Sequence, residues 1–546
     1  MFPYAVETFT SEEEDILRRY CTNLHLPVFA LVNLPEVVKG ALFARYSRSP
    51  KSLRRLFLDE FVGELDITGD ATVDATVGLK RAEELYEKVF LEYGDDSVAQ
   101  LGGVHLACEQ ASNVLTKVLE RGRLMAYLEQ STRYIAYDSR LGTGHYRYCR
   151  DPGLLESSLG AKYVGEMDRM FDTYGELLTE VQAWLTRRHP RQAADSDFVH
   201  RRAVRAKALD ALRGLLPAGS LSNLGIYGTG QSYEMLLLRM RSHPLPEARS
   251  YAAMMLAELR KVIPSFLQRV DRPERGGVWS RYLEQVRDDT ARAVERLFPD
   301  LVEPAAASSA GPSGAPSVDL VDFDPEGEEK VLAAICYPHA SVSEDEILRR
   351  VRGLGADERR SLLLGYVGDR SNRRHRPGRA FERTSYRFDV VTDYGAFRDL
   401  QRHRMLTIEW QPLGPSLGYD VPAEVEEAGV ADRYTASLER SRELYEVLAP
   451  EFPVESAYAV ALAYRVRYSM QMNARSAMHV VELRSSPQGH PAYRWVAQEM
   501  HRLIAEGAGH RLLAEAMSHV DYGEAELERL ESERRAETRR AVSRIP

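Results

Sequence analysis

The sequence predicts an α+β chain: two tandem helix-rich domains, each with a small antiparallel sheet. Three observations carry this. Apolar residues recur at helical spacing along most of the chain, whereas Tyr386-Arg387-Phe388-Asp389-Val390-Val391 alternates with period two, the mark of a strand. A Pro-, Ala-, Gly- and Ser-rich stretch at 304–317 has the composition of a flexible linker and divides the chain into 1–303 and 318–546. Short segments then recur in the same order on either side of it, as an internal duplication would leave them.

Taken in order, residues 1 to about 60 read as helical segments, among them 37–43 and an amphipathic stretch with Leu53, Leu56 and Phe57. Leu79, Ala82, Leu85, Val89 and Phe90 continue the spacing over 80–92. A turn is expected at 93–98, with Gly94 ending one helix and an acidic or hydroxyl cap opening the next. Val114, Leu115, Val118 and Leu119 mark an apolar face running into Arg121-Gly122-Arg123. A Gly- and Tyr-rich stretch at 141–149 precedes long helices expected over about 157–190 and 199–216, then helical patterns at 231–240 and 251–266. The second domain opens with 330–336 and an amphipathic helix near 343–353. A basic loop, Arg373-Arg374-His375-Arg376-Pro377-Gly378-Arg379, precedes the alternating segment, and helices are expected to dominate from 432 onward.

The composition narrows the function. With 44% hydrophobic and 28% charged residues, the 546-residue chain is expected to be soluble, with two to four buried cores. Its net charge of −9 argues against a whole-protein grip on nucleic acid and leaves local basic patches for anions. Cys21, Cys108, Cys149 and Cys336 are scattered with no Cys-x-x-Cys pair, so neither a metal site nor a disulfide framework is expected. The N-terminal stretch is acidic, and no apolar run approaches membrane-spanning length. The expectation is a cytoplasmic protein that engages small molecules, with neither membrane nor nucleic acid as partner.

Arg402-His403-Arg404 follows a segment with helical apolar spacing at Tyr394, Phe397 and Leu400. Two planar guanidiniums beside an imidazole suit a phosphate or carboxylate, and the imidazole can offer a ring face or a switchable proton. The tripeptide alone equally suits a solvated basic helix end lying on the C-terminal dipole. The repeat shifts the reading. Arg121-Gly122-Arg123 answers Arg402-His403-Arg404, Gly228-Thr229-Gly230-Gln231-Ser232 answers Met472-Asn473-Ala474-Arg475-Ser476, and Arg249-Ser250-Tyr251-Ala252 answers Arg494-Trp495-Val496-Ala497.

Arg402-His403-Arg404 with Thr407, followed by Asn473-Ala474-Arg475-Ser476 and Glu482-Leu483-Arg484, resembles the flavin-dependent thymidylate synthases. Their signature is Arg-His-Arg, then Ser at fixed spacing, then Gln-Ser-x-Arg-Tyr. In the first half, Glu129-Gln130-Ser131-Thr132-Arg133-Tyr134 reproduces the second part. Neither half is complete. The first has Gly122, Thr229, Gln231 and Met240 where the family has His, Asn, Arg and a catalytic Arg; the second has Pro412 and Gly414 where Ser and Arg should follow.

The resemblance implies a composite site. The first half would bind nucleotide phosphate and the second would bind flavin and carry the chemistry, leaving one live site and one dead site per pair of halves. For dUMP it implies Glu129, Ser131, Arg133, Arg213, Arg402 and Arg484, with Arg484 catalytic through charge stabilisation on the uracil. For FAD it implies Arg402, His403, Arg404, Asn473, Arg475 and His479, with Arg379 a candidate for the pyrophosphate. It further implies methylation of dUMP to dTMP with NADPH and 5,10-methylenetetrahydrofolate, and a homodimer imitating a four-domain tetramer. Plainer readings stand beside these: an ion pair of Arg484 with Glu482, a structural polar cluster at Asn473, Arg475 and His479, and RNA contact or plain solvation at Arg379. Asp399 departs from the family's Gln. That leaves room for another uracil nucleotide such as UMP, or for a non-catalytic flavin- or nucleotide-binding protein.

Overall fold

The structure, a computed structural model, describes residues 3–34, 36–60, 62, 100, 102–193, 195–302, 315–523, 527 and 529–542. The helical pattern at 80–92, the turn at 93–98 and all but the last three linker residues lie outside these. The chain forms two compact units that do not follow its order. The first comprises Met1–Gly175, Leu216–Ser309 and Ala436–Ala461; the second comprises Glu176–Leu215, Ala310–Thr435 and Leu462–Pro546. Each unit therefore takes chain from both sides of the linker.

In the first unit β1 (Val28–Leu31) and β2 (Gly103–Ser112) pair antiparallel. A bulge between Cys108 and Ala111 holds Gln110 at φ 56°, a left-handed conformation uncommon outside glycine. Ser112 ends β2 and caps α1 (Asn113–Leu119) by accepting from the Leu115 amide. β3 (Met125–Glu129) follows. After Gly160–Arg188 the chain forms α2 (Asp197–Leu212), which belongs to the second unit, and returns as β4 (Leu221–Thr229). The antiparallel order is β1-β2-β4-β3. α3 (Gly230–Arg241) and α4 (Pro246–Leu259) supply the helical side of the core, with Tyr233, Leu237, Tyr251 and Met255 buried. Tyr233 ties helix to sheet, its hydroxyl donating to the Val104 and Ile226 carbonyls at 3.0 and 3.1 Å.

The second unit repeats this plan. β5 (Ser317–Phe323), opening on the last linker residue, pairs with β6 (Ser385–Asp393). α5 (Tyr394–Leu400) follows, then β7 (Thr407–Trp410) and β8 (Arg465–Asn473), in the antiparallel order β5-β6-β8-β7. The alternation expected at 386–391 is real: Tyr386, Phe388 and Val390 are buried while Arg387 is exposed. Helices dominate from 432 onward as expected, and β8 is a strand among them that was not located from the sequence, with Val466, Tyr468, Met470 and Met472 buried at period two. α6 (Ala474–Arg484) and α7 (Pro491–Glu506) complete the duplicate. α2 buries Val199, Ala203, Val204, Leu209 and Leu212, and salt bridges from Lys207 to Glu424 (2.6 Å) and from Arg529 to Asp210 (3.8 Å) hold it within the second unit.

Candidate active site

The second unit gathers its cations around α5. Asp393 caps this helix, accepting from the Ala396 amide at 2.8 Å, and Asp399 lies in its last turn. Arg402, His403 and Arg404 leave its C-terminal end before β7 begins, as the helical spacing ahead of them implied. Three guanidiniums meet the Asp399 carboxylate: Arg213 at 3.4 Å, Arg484 at 3.7 Å and Arg402 at 3.9 Å. Arg213 arrives from the turn that follows α2, so residues from both sides of the linker meet inside one unit. It is buried, reaches Asp393 at 3.8 Å, and has no hydrogen-bond partner for Nε or Nη2. Gly395 makes room for it, because a Cβ there would stand 3.0 Å from Arg213 Nε.

α6 carries the next layer. Asn473 is its cap and accepts from the Ser476 amide at 2.8 Å, while Ser476 Oγ donates to the Met405 carbonyl at 3.1 Å. Asn473 therefore stands outside the helix, and Arg475 and His479 fall four residues apart on one face. Arg475 donates from Nε to the Pro377 carbonyl at 2.9 Å, and Arg376 donates to His479 Nδ1 at 3.0 Å. The His479 and His403 rings meet edge-on at 5.4 Å. Arg484 Nε donates to His403 Nε2 at 2.8 Å, and its guanidinium lies over the Tyr493 ring at 5.4 Å.

These contacts fix protonation. A guanidinium only donates, so His403 Nε2 must accept and the ring is neutral with its proton on Nδ1. Burial, then the Arg484 charge, pushes its pKa well below the ordinary 6.5. His479 is lowered to about 4 by burial first, then by Arg376, Arg373 and Arg484. Burial also raises the Asp393 carboxyl, against the pull of Arg213.

The ion pair of Arg484 with Glu482 does not form. Glu482 is instead held by Arg370 through two bonds of 2.6 Å, both side chains buried. Arg370 also donates to the His375 and Ala516 carbonyls, which ties the basic loop to α6. Arg379 is 87% exposed and pairs with Glu382, which Arg475 also reaches at 3.5 Å. Sequence reasoning missed Arg370, Arg376, Gly395 and Tyr493. Arg370 and Arg376 lay in or beside a visibly basic loop; Gly395 and Tyr493 carried no local signal.

Glu129, Ser131 and Arg133 belong to the first unit. Glu129 ends β3 with its side chain fully buried, 3.3 Å from the Lys117 ammonium, which also binds Glu120. Ser131 Oγ accepts from the Arg133 amide at 3.3 Å, and Arg133 is buried. The counterpart of His403 here is Gly122, where a Cβ would stand 2.7 Å from Tyr127 Oη and 3.2 Å from Met125 Sδ. The counterpart of Arg484 is the fully buried Met240. The cap persists: Thr229 accepts from the Ser232 amide, and Ser232 Oγ donates to the Leu124 carbonyl at 3.2 Å.

A cluster of guanidiniums around one carboxylate, beside a neutral imidazole, has the chemistry to bind an anion. The chain belongs to the thymidylate synthase complementing protein family, whose model matches residues 44–265 and 319–508, once on each side of the linker. The resemblance read from the two signature segments is thus established as membership, in tandem. A UPF0159 protein of Chlamydia pneumoniae is 38% identical over 534 residues, covering 97% of this chain and 98% of its own. A UPF0159 protein of Thermoplasma acidophilum is 32% identical over 522 residues, covering 91% of this chain and 97% of its own. Among solved structures, a UMP/dUMP methylase, PolB, from Streptomyces cacaoi, bound with 5-Br dUMP, matches with a TM-score of 0.31 and 18% identity, over 38% of this chain and 96% of that one. No helix among the described residues is long and apolar enough to cross a membrane.

Proposed function

We propose that the chain is a flavin-dependent thymidylate synthase-like methyltransferase. It would move a one-carbon unit from 5,10-methylenetetrahydrofolate to carbon 5 of dUMP, using FAD and NADPH. The observation that carries the proposal is the convergence of Arg213, Arg402 and Arg484 on one anionic position, next to an imidazole that Arg484 holds neutral.

In this reading Arg484 is the catalytic residue. Its Nε is committed to His403, which fixes the plane of the guanidinium and leaves the Nη edge for a uracil carbonyl, where negative charge develops. Arg213 and Arg402 serve the phosphate of the same nucleotide. Glu129, Ser131 and Arg133 are proposed as further dUMP ligands. The donor set also fits an anionic dinucleotide carrying a flat ring. His403 and His479 offer rings, while Arg404, Arg475 and, across Glu382, Arg379 offer cations. Asn473, as helix cap, places Arg475. A flavin held there supplies the hydride chemistry; the protein binds, orients and excludes water. Two copies are proposed to pair as a homodimer, and the cytoplasm is the proposed compartment.

The test is the absorbance of the purified protein and its bleaching by NADPH. The expected result is a yellow protein whose flavin is reoxidised, with dTMP formed, only when dUMP and methylenetetrahydrofolate are both present. A protein that takes up FAD and yet makes no dTMP with all components supplied overturns the proposal.

A further inference from the structure

The first unit holds a cavity of about 520 Å³, within the range of roughly 300–1,000 Å³ that small-molecule sites take. Part of its wall is pinned at the start of β4. The Leu221 amide donates to the Arg147 carbonyl at 2.8 Å, the Gln130 amide to the Asn223 carbonyl at 2.8 Å, and the Gln110 amide to Asn223 Oδ1 at 2.9 Å. The N-terminal segment closes another side. The Ala5 amide donates to Gln110 Oε1 and Gln110 Nε2 donates to the Ala5 carbonyl, both at 3.0 Å. Residues 5–8 and 24–27 of the lining precede the first family match, which begins at residue 44, and none of the residues assigned above to dUMP or FAD lines the cavity.

The wiring of this wall leaves three polar ends over. Asn223 gives Oδ1 to Gln110, so its Nδ2 remains as a donor; Gln130 spends Nε2 on the Ser49 carbonyl at 2.7 Å, so its Oε1 remains as an acceptor. Arg147 is half-buried with its guanidinium 5.9 Å from the centre of the Tyr137 ring, and its side chain forms no hydrogen bond or ion pair among the described residues. The two lining carboxylates are already answered. Glu109 accepts from the Tyr46 hydroxyl and the Leu53 amide with Arg54 at 3.9 Å, and Glu7 pairs with Arg55 at 2.9 Å. The charge left for a ligand to match is therefore positive. Leu24, Leu26, Leu141 and Leu221 add an apolar side.

We infer that this cavity binds a small organic anion whose ring carries an N–H beside an acceptor, as nucleobases and cyclic imides do. The anionic group is taken by Arg147, whose planar fork suits a phosphate or a carboxylate. The ring N–H donates to Gln130 Oε1, the neighbouring acceptor takes Asn223 Nδ2, and the ring face meets the leucines. The inference does not rest on the proposed function, and its readout is binding, not turnover.

Calorimetric titration of the full chain with CMP, GMP and orotate, and with cytidine as the uncharged control, tests this. CMP and GMP offer a phosphate and orotate a carboxylate, so whichever arm binds names the anion. The expected result is saturable binding of at least one probe, with cytidine much weaker. That binding should weaken about tenfold or more in Arg147→Gln and in Asn223→Asp, stay within a few-fold of wild type in Arg147→Lys, and be unchanged in Arg484→Met. Asn223→Asp keeps the oxygen that holds the Gln110 amide and replaces the donor with an acceptor. Failure of all three probes to bind, or binding that survives Arg147→Gln, overturns the inference. Binding that falls in Arg484→Met and not in Arg147→Gln overturns it too, and assigns the ligand to the second unit. If the melting curve shows that Arg147→Gln does not fold, Asn223→Asp decides: weakened binding supports the site and unchanged binding overturns it.

Discussion

Leu124 and Met405 each follow an Arg-x-Arg segment, and each accepts a hydrogen bond from a serine three residues past a helix cap, Ser232 and Ser476. The frames around the two segments match in sheet order, cap and pairing. Their contents differ. In the second unit the middle residue is His403, locked by Arg484. In the first it is Gly122, its place filled by Tyr127 and Met125, and the position equivalent to Arg484 is the buried Met240. The comparison teaches that fold and chemistry are held by separate residues. Capping and sheet order survive in the copy that lacks the imidazole and the buried arginine.

The comparison can be broken most sharply by exchanging its contents. Arg484→Met, which makes the second copy like the first, should lower turnover by about 10²–10³-fold, since one electrostatic donor to developing charge is lost; steady-state dTMP formation measures it. The reverse change, Met240→Arg, puts a charge at a fully buried position and should cost about 3–5 kcal/mol, read as the denaturation midpoint. Gly122→His must displace Tyr127 and should cost about 1–3 kcal/mol without creating activity.

The two units should also respond oppositely to pH. Glu247 in the first unit is raised from its ordinary 4.5 to about 7, burial outweighing the bonds it accepts from Ser112 and Tyr458. The folded state holds that proton when the unfolded chain has lost it. Stability should therefore fall by up to about 3 kcal/mol as pH rises from 4.5 to 7, and Glu247→Gln should flatten the slope. His479 in the second unit, lowered to about 4, acts the other way: the unfolded chain takes a proton the fold refuses. Stability should fall as pH drops from 6.5 to 4, less so in His479→Gln. Melting temperature against pH checks both. The smallest effect should be an equality. Thr229→Ala and Asn473→Ala each remove one cap and should cost about 1 kcal/mol alike.

Much of this was legible in the sequence. Helical spacing located α1, the first turns of α5 and the chain leading to Arg402, and alternation located β6. β8 has the same alternation at Val466, Tyr468, Met470 and Met472, but its Met, Gln and Arg residues are good helix formers, so composition masked the period. β2 is buried on both faces for much of its length and shows little alternation. The family segments named most of the cluster around Asp399. Its wiring was not legible. Glu482 and Arg484 are two residues apart on a helix, so they face different ways and find partners 112 and 81 residues distant, Arg370 and His403.

The exchange of segments between units has a consequence for the gene. A break at the linker would leave residues 176–215, with α2 and Arg213, on one product and the rest of their unit on the other, while 436–461 would be stranded in the opposite sense. Neither fragment could inherit a whole unit. Two half-genes expressed separately should yield soluble, folded protein only when both are present, and the single reading frame spares the cell the need to match their doses.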